Sequence, residues 1–121
     1  MTENKNLGDL GEEMARDYLL DKGYGLCEMN WKSDRFEIDL IMKHGPWLVF
    51  VEVKTRRTET FGDPWEAVNR KKRKKIITAA DHYIRLNQSE EKIRFDIVSI
   101  VWPFGSRPKI THIEQAFYPE P

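Results

Sequence analysis

Among 121 residues the chain holds a single cysteine, Cys27. No intramolecular disulfide can form, and no zinc site built on cysteines, because each needs more than one thiol. Long apolar runs are missing as well. Trp47–Val51 and Ile97–Trp102 are the most apolar stretches, far short of the roughly 20 residues that cross a bilayer. The opening residues, MTENKNLGDLGEE, contain no apolar core of a signal peptide. Excess charge of one sign is absent too: 20 Lys+Arg balance 20 Asp+Glu, so no global field marks a nucleic-acid or membrane partner. Together these absences point to a reducing compartment, most simply the bacterial cytoplasm, and to no membrane partner.

What is present is enough for one core. A hydrophobic fraction of 40% with 12% aromatics in 14.4 kDa fits one domain over residues 1–121. There are no repeats, low-complexity tracts or linkers. The neutral total hides an uneven distribution. Residues 1–53 hold 11 acids and 6 bases, whereas residues 54–75 hold 9 bases and 3 acids.

Leu7, Leu10, Met14, Tyr18 and Leu19 follow helical spacing and Gly23 supplies a left-handed stop, which predicts a helix over 6–22. Gly8 and Gly11 share one face of it, where close packing against a sheet explains them better than contact with a ligand. Strands are expected over 24–32, 36–43 and 47–55, the last two joined by a hairpin at His44-Gly45-Pro46. Asp63-Pro64-Trp65-Glu66 reads as cap, first-turn proline and capping-box glutamate, opening a helix to about Asn87. Its buried stripe is Trp65, Val68, Ile76, Ala79, Ala80, Tyr83 and Ile84. Strands over 93–102 and 109–117 flank a turn at 103–108. The order is αβββαββ, an α/β (α+β) fold with a sheet and at least one hairpin.

Chemistry concentrates in Glu37-Ile38-Asp39 and Glu52-Val53-Lys54. Side chains alternate along a strand, so Glu37 and Asp39 share a face, as do Glu52 and Lys54. Pairing Asp39 with Glu52 in an antiparallel hairpin puts Glu37 opposite Lys54 and Met42 opposite Val49. That register collects three carboxylates and an ammonium on one face. Ile38, Leu40 and Met42 then lie on the other with Val49, Val51 and Val53. Opposed carboxylates repel, and a divalent cation resolves the conflict. Oxygen-only ligands with retained waters describe Mg²⁺, and a lysine beside the metal suits phosphodiester hydrolysis. The plain alternative is a solvated strand face carrying a Glu37–Lys54 ion pair.

Asp39, twelve intervening residues and then Glu52-Val53-Lys54 resemble the Asp…Glu-x-Lys signature of the PD-(D/E)XK nuclease superfamily. Across nearly the whole chain the segments GDLGEEMA, Gly23-Tyr24, Asn30-Trp31-Lys32, Glu37–Ile41, Phe50–Arg56, Phe61-Gly62, Ala67-Val68…Lys72 and Arg94–Val98 resemble the YraN-like family. These are small bacterial proteins described as candidate endonucleases. The resemblance implies a restriction-endonuclease-like core, a central mixed sheet flanked by helices. It implies Mg²⁺ (or Mn²⁺) held by Asp39, Glu52 and the carbonyl of Val53, with Glu12 as an outer or second-metal ligand. Lys54 would activate water, and Glu37 is a further participant. Phe36 stands where family members usually carry glycine, at the entrance to the site. A likeness to archaeal Holliday-junction resolvases suggests branched or flap DNA and a homodimer.

Arg70, Lys71, Lys72, Arg73, Lys74 and Lys75 are six consecutive cations. Like charges three and four apart on a helix repel, a cost that binding to phosphates offsets. Arg56 and Arg57 extend this positive surface. Trp31, Trp47 and Trp65 fit a core better than base stacking. His44, His82 and His112 have no metal-type pairing, Asp63 is a cap, and Cys27 is expected to be a buried strand residue. The reading is a metal-dependent DNA endonuclease, for which single-stranded DNA is a further substrate class. Its rivals are a non-catalytic nucleic-acid-binding module with a nuclease-like fold and, more weakly, a protein-interaction adaptor.

Overall fold

The structure, a computed structural model, describes residues 5–58 and 68–119. The chain runs α1 (Leu7–Asp21), β1 (Gly25–Ser33), β2 (Phe36–His44), β3 (Trp47–Arg56), α2 (Arg70–Asn87), β4 (Lys92–Val101) and β5 (Lys109–Phe117). This is the expected order. The five strands lie as β1-β2-β3-β4-β5. Only β3 and β4 pair parallel, with α2 between them in the chain as a parallel pair requires. The result is the restriction-endonuclease-like α+β core that the resemblance implies. No helix among the described residues is long and apolar enough to cross a membrane.

Among the described residues, one helix covers each face of the sheet. Ala15 and Leu19 of α1 meet Leu40, Met42, Val49, Val51, Val53, Val98 and Ile100 on one side. Val68 and α2's Ile76, Ala79 and Ala80 meet Ile38, Ile41, Phe50, Phe95, Ile97 and Phe117 on the other. A sheet buried on both faces explains why β3 and β4 read as near-continuous apolar runs.

α1 begins where Asn6 Oδ1 accepts the Asp9 amide at 2.8 Å. It ends as anticipated at Gly23, whose φ is +93°. There the Tyr24 amide donates to the Leu19 carbonyl and the Gly23 amide to Leu20, both at 3.0 Å, a Schellman closure. α2 differs from expectation. Asn69 is extended and its Oδ1 accepts the Lys72 amide at 2.9 Å, so the helix starts at Arg70. Val68 is buried ahead of the cap rather than on the helix. A single helix from residue 63 is therefore ruled out. The Asp63–Glu66 capping box and Trp65 lie outside the described residues.

Three further expectations need correction. Ile38 does not share a face with Leu40 and Met42: it packs on the α2 side and they pack on the α1 side. Alternation breaks where Asn30 of the neighbouring strand turns to φ +53°, carrying Met29 and Trp31 to opposite faces as well. Cys27 is exposed, because the β1–β2 register slips between Leu26 and Glu28 on an edge strand and leaves it unpaired. Gly8 is not against the sheet; a Cβ there would meet only the capping Asn6 side chain, at 3.3 Å.

A second polar cluster holds the far part of the sheet together. Asp96, with no solvent exposure, accepts Arg94 Nε at 2.9 Å, Arg94 Nη2 at 3.0 Å and the Gln115 amide at 3.1 Å. His112 Nε2 lies 2.7 Å from Asp96 Oδ2, and Arg94 also bonds the Tyr24 hydroxyl. His44 stacks on the Tyr24 ring at 4.0 Å and His82 bonds Ser33 at 2.5 Å. All three histidines thus serve structural contacts. Trp31, edge-on to Tyr83, and Trp47 pack against the core as expected.

Candidate metal and phosphate site

The hairpin register is the anticipated one from His44–Trp47 to Leu40–Val51. Beyond Leu40 the ladder stops, and Asp39 turns its carboxylate into the partner strand, where Oδ2 accepts the Val53 amide at 2.8 Å. Glu37 is not set opposite Lys54; its partner is Lys32 of β1. Asp39 therefore sits at a fork between β2 and β3, held by backbone.

α1 brings in the next acid. An added Cβ on Gly11 would lie 1.8 Å from Thr55 Oγ1, so only glycine lets the helix approach β3 this closely. The adjacent Glu12 is consequently brought beside Asp39 and the Asn30 side chain. Glu12, Glu37 and Asp39 each offer a carboxylate oxygen, all within 4.8 Å of one another. A Mg²⁺ ion with bonds of about 2.0–2.1 Å joins oxygens up to roughly 4.2 Å apart, so this all-oxygen set fits a hard divalent cation after a small closure.

Glu52 completes the group from β3. It is 7% exposed and lies against Asp39 on one side and Lys72 of α2 on the other, its Oε1 3.5 Å from Lys72 Nζ. Burial, and then the charge of Asp39, raise the Glu52 carboxyl to about 8 despite Lys72. Burial and the same neighbour raise Glu12 to about 7. Asp39 is raised by its own burial, opposed by the Val53 amide and Lys72. Crowded, half-desolvated carboxylates of this kind take up protons unless a cation joins them.

The structure thus gathers Glu12, Glu37 and Asp39 and sets Glu52 beside Asp39. Lys54 is exposed and makes no ion pair with these acids among the described residues. The ammonium beside them is Lys72, which sequence reasoning placed among the phosphate contacts. Asn30 was missed as a site residue. Its signal was its side chain, since asparagine tolerates the left-handed backbone that such a position needs.

The basic residues divide by environment. Arg70, Lys71, Lys74 and Lys75 are exposed. Arg73 is anchored, its Nε donating to the Val68 carbonyl at 2.8 Å and its guanidinium lying over Phe117. Arg57 donates to the Trp102 carbonyl at 3.0 Å and covers the Phe104 ring, and Arg56 is half-buried at the end of β3. Phe36 packs against the α2-side core.

Fold and site together define a restriction-endonuclease-like α+β core with a carboxylate cluster at a strand fork. The chain belongs to the uncharacterised protein family UPF0102, whose model matches residues 11–100; the YraN-like resemblance is borne out. It is 40% identical over 121 residues to a UPF0102 protein of Phocaeicola vulgatus, covering 98% of both chains. A relative from Rhodococcus opacus is 42% identical over 118 residues, covering 97% of this chain and all of its own. One from Thermodesulfovibrio yellowstonii is 42% identical over 112 residues, covering 93% of this chain and 96% of its own.

Proposed function

We propose that this protein is a metal-dependent DNA endonuclease. The observation that supports it most is the meeting of Glu12, Glu37 and Asp39 within 4.8 Å, next to buried Glu52 and the first turn of a cationic helix. A bound Mg²⁺ or Mn²⁺ would supply a water acidified to near neutrality and an electrophile for the phosphate. The chain's own residues do the rest. Asp39, fixed by the Val53 amide, and Glu52 would hold the ion. Glu12, beside Asn30 and Asp39, would accept a proton from the attacking water or bind a second ion. Arg70, Lys71, Lys74 and Lys75 hold the backbone of the nucleic acid in front of the cluster.

Branched or flap DNA is the first substrate class to try, on the analogy with junction resolvases, and two copies of the chain would then act together. The test is a cleavage panel of junctions, flaps, single strands and duplexes with Mg²⁺ or Mn²⁺. At least one substrate is expected to be cut, and Asp39→Ala to abolish the cut. If nothing is cut, or the variant cuts equally well, the enzyme reading is lost. Salt-sensitive binding without cleavage would instead favour a non-catalytic nucleic-acid-binding module.

A further inference from the structure

We infer that Lys72 of α2, rather than Lys54 of the Glu-x-Lys segment, is the ammonium that balances the acids in the metal-free protein and swings onto the scissile phosphate when a metal enters. The inference rests on the nuclease reading above and assigns one of its parts. Lys54 follows Glu52 by two residues on β3, but it is exposed and forms no ion pair with Glu12, Glu37, Asp39 or Glu52 among the described residues. Lys72 Nζ lies 3.5 Å from Glu52 Oε1, and its charge acts on both Glu52 and Asp39.

The position of Lys72 is no accident of a long side chain. Its amide is the one capped by Asn69 Oδ1 at 2.9 Å. The turn around it is pinned twice more, by the Arg73 amide on the Asn69 carbonyl at 2.9 Å and by Arg73 Nε on the Val68 carbonyl at 2.8 Å. Val68 itself is buried. The stem of Lys72 is therefore set on a rigid element facing the cluster, while the side chain keeps 53% exposure and freedom at its tip. A cation fixed at its base and mobile at its head can serve first as counter-ion and then as a clamp on developing negative charge.

A metal ion and this ammonium compete for Glu52 before DNA binds and cooperate afterwards, which separates Lys72 from a merely structural ion pair. Mn²⁺ is titrated calorimetrically into wild type, Lys72→Ala and Lys54→Ala without DNA, and single-turnover cleavage is then measured. Lys72→Ala is expected to bind Mn²⁺ about two- to fivefold more tightly, the scale of one partly exposed ion pair. Its cleavage is expected to fall about 10²–10³-fold, the loss on removing one charge-stabilising donor. Lys54→Ala, which removes no ion pair with the four acids, should leave Mn²⁺ affinity unchanged and cost much less cleavage than Lys72→Ala. Unchanged cleavage by Lys72→Ala overturns the assignment, whatever its metal affinity. So does a loss confined to Lys54→Ala. If wild type cuts nothing, the nuclease reading fails on its own. The metal titration then decides: tighter Mn²⁺ binding by Lys72→Ala keeps Lys72 as the ion that metal displaces, and unchanged binding removes it.

Discussion

Asp39 Oδ2 accepts the Val53 amide at 2.8 Å, immediately past the Leu40–Val51 pair at which the β2–β3 ladder ends. A side chain here substitutes for a strand neighbour, so the carboxylate is structural and chemical at once. Asp39→Asn separates the two roles, because the amide oxygen can still accept from Val53 while the charge is gone. The metal-free variant is expected to be at least as stable as wild type, since one of several repelling carboxylates has been neutralised. Metal should distinguish them the other way. At a hundredfold excess over its Kd, Mg²⁺ stabilises a protein by about 2.7 kcal/mol, and the variant should lose most of that gain. Thermal melts with EDTA and with Mg²⁺ check both halves.

The same crowding sets a pH dependence. Glu52 is raised to about 8 by burial and Asp39, and Glu12 to about 7, against an unfolded glutamate near 4.3. Between the unfolded and folded values the native chain binds more protons than the unfolded chain, so stability falls as pH rises. The penalty is full above about 8 and vanishes below the unfolded value. In EDTA the melting temperature should therefore decline from pH 5.5 to 8.5, about the window these two groups span. Saturating Mg²⁺ should flatten that decline, because the ion takes the place of the protons. A flat metal-free profile would mean that the acids are better solvated than their burial implies.

Much of the fold was legible because periodicity and turn chemistry agreed. The Gly23 stop, the Gly45-Pro46 hairpin and the Met42–Val49 register follow from local residues alone. Legibility failed where a side chain replaced backbone. Alternation on β2 breaks at Asp39, and nothing in a period of two announces that Ile38 will change faces. The start of α2 was misread for a related reason: an acidic capping box outweighed a lone asparagine, although Asn69 is the residue that caps. Spacing along the chain named Lys54, whereas the crossover helix delivers Lys72 from 20 residues after Glu52, a proximity that only tertiary structure creates.

Gly11 is the hinge between helix packing and acid placement. A methyl group on it would enter the space of the Thr55 side chain, 1.8 Å from Oγ1 and 2.8 Å from Cβ. Gly11→Ala is expected to destabilise by about 1–3 kcal/mol through overpacking, outweighing the helix propensity that alanine gains. It should also weaken metal binding, since α1 carries Glu12. Pairing it with Thr55→Gly should recover part of the loss, a non-additivity that urea denaturation of the four-member cycle measures. Equal losses in the single and double variants would show that the contact is not the cause.

Asp96 has the opposite titration sign. Burial alone would raise it, but hydrogen bonds from His112, Arg94 and the Gln115 amide outweigh burial and hold it below its ordinary value. A depressed carboxyl gives stability that is present above its unfolded pKa and is lost as pH falls through the folded one. Acid unfolding below about pH 4 should therefore be shallower in Asp96→Asn than in wild type. At neutral pH the variant strands the buried Arg94 guanidinium and should cost about 3–5 kcal/mol. Urea melts at pH 7 and an acid titration by circular dichroism test the two statements separately.

The first turn of α2 runs against helix physics. Arg70, Lys71, Lys72 and Arg73 occupy its positive end and no acid sits there, although cations at a helix N-terminus are unfavourable and like charges at three and four residues repel. Replacing the exposed Arg70, Lys71, Lys74 and Lys75 by serine should raise or preserve the melting temperature, because that repulsion is removed. DNA affinity should move the other way. Each phosphate contact contributes about 0.7–0.9 to the slope of log K against log salt, so loss of four contacts lowers the slope by roughly 3. Asp39→Asn leaves the slope intact, since it touches the metal and not the backbone contacts. If the serine variant keeps its slope, the cations are a solvated face, and the strain in the helix start has some other cause.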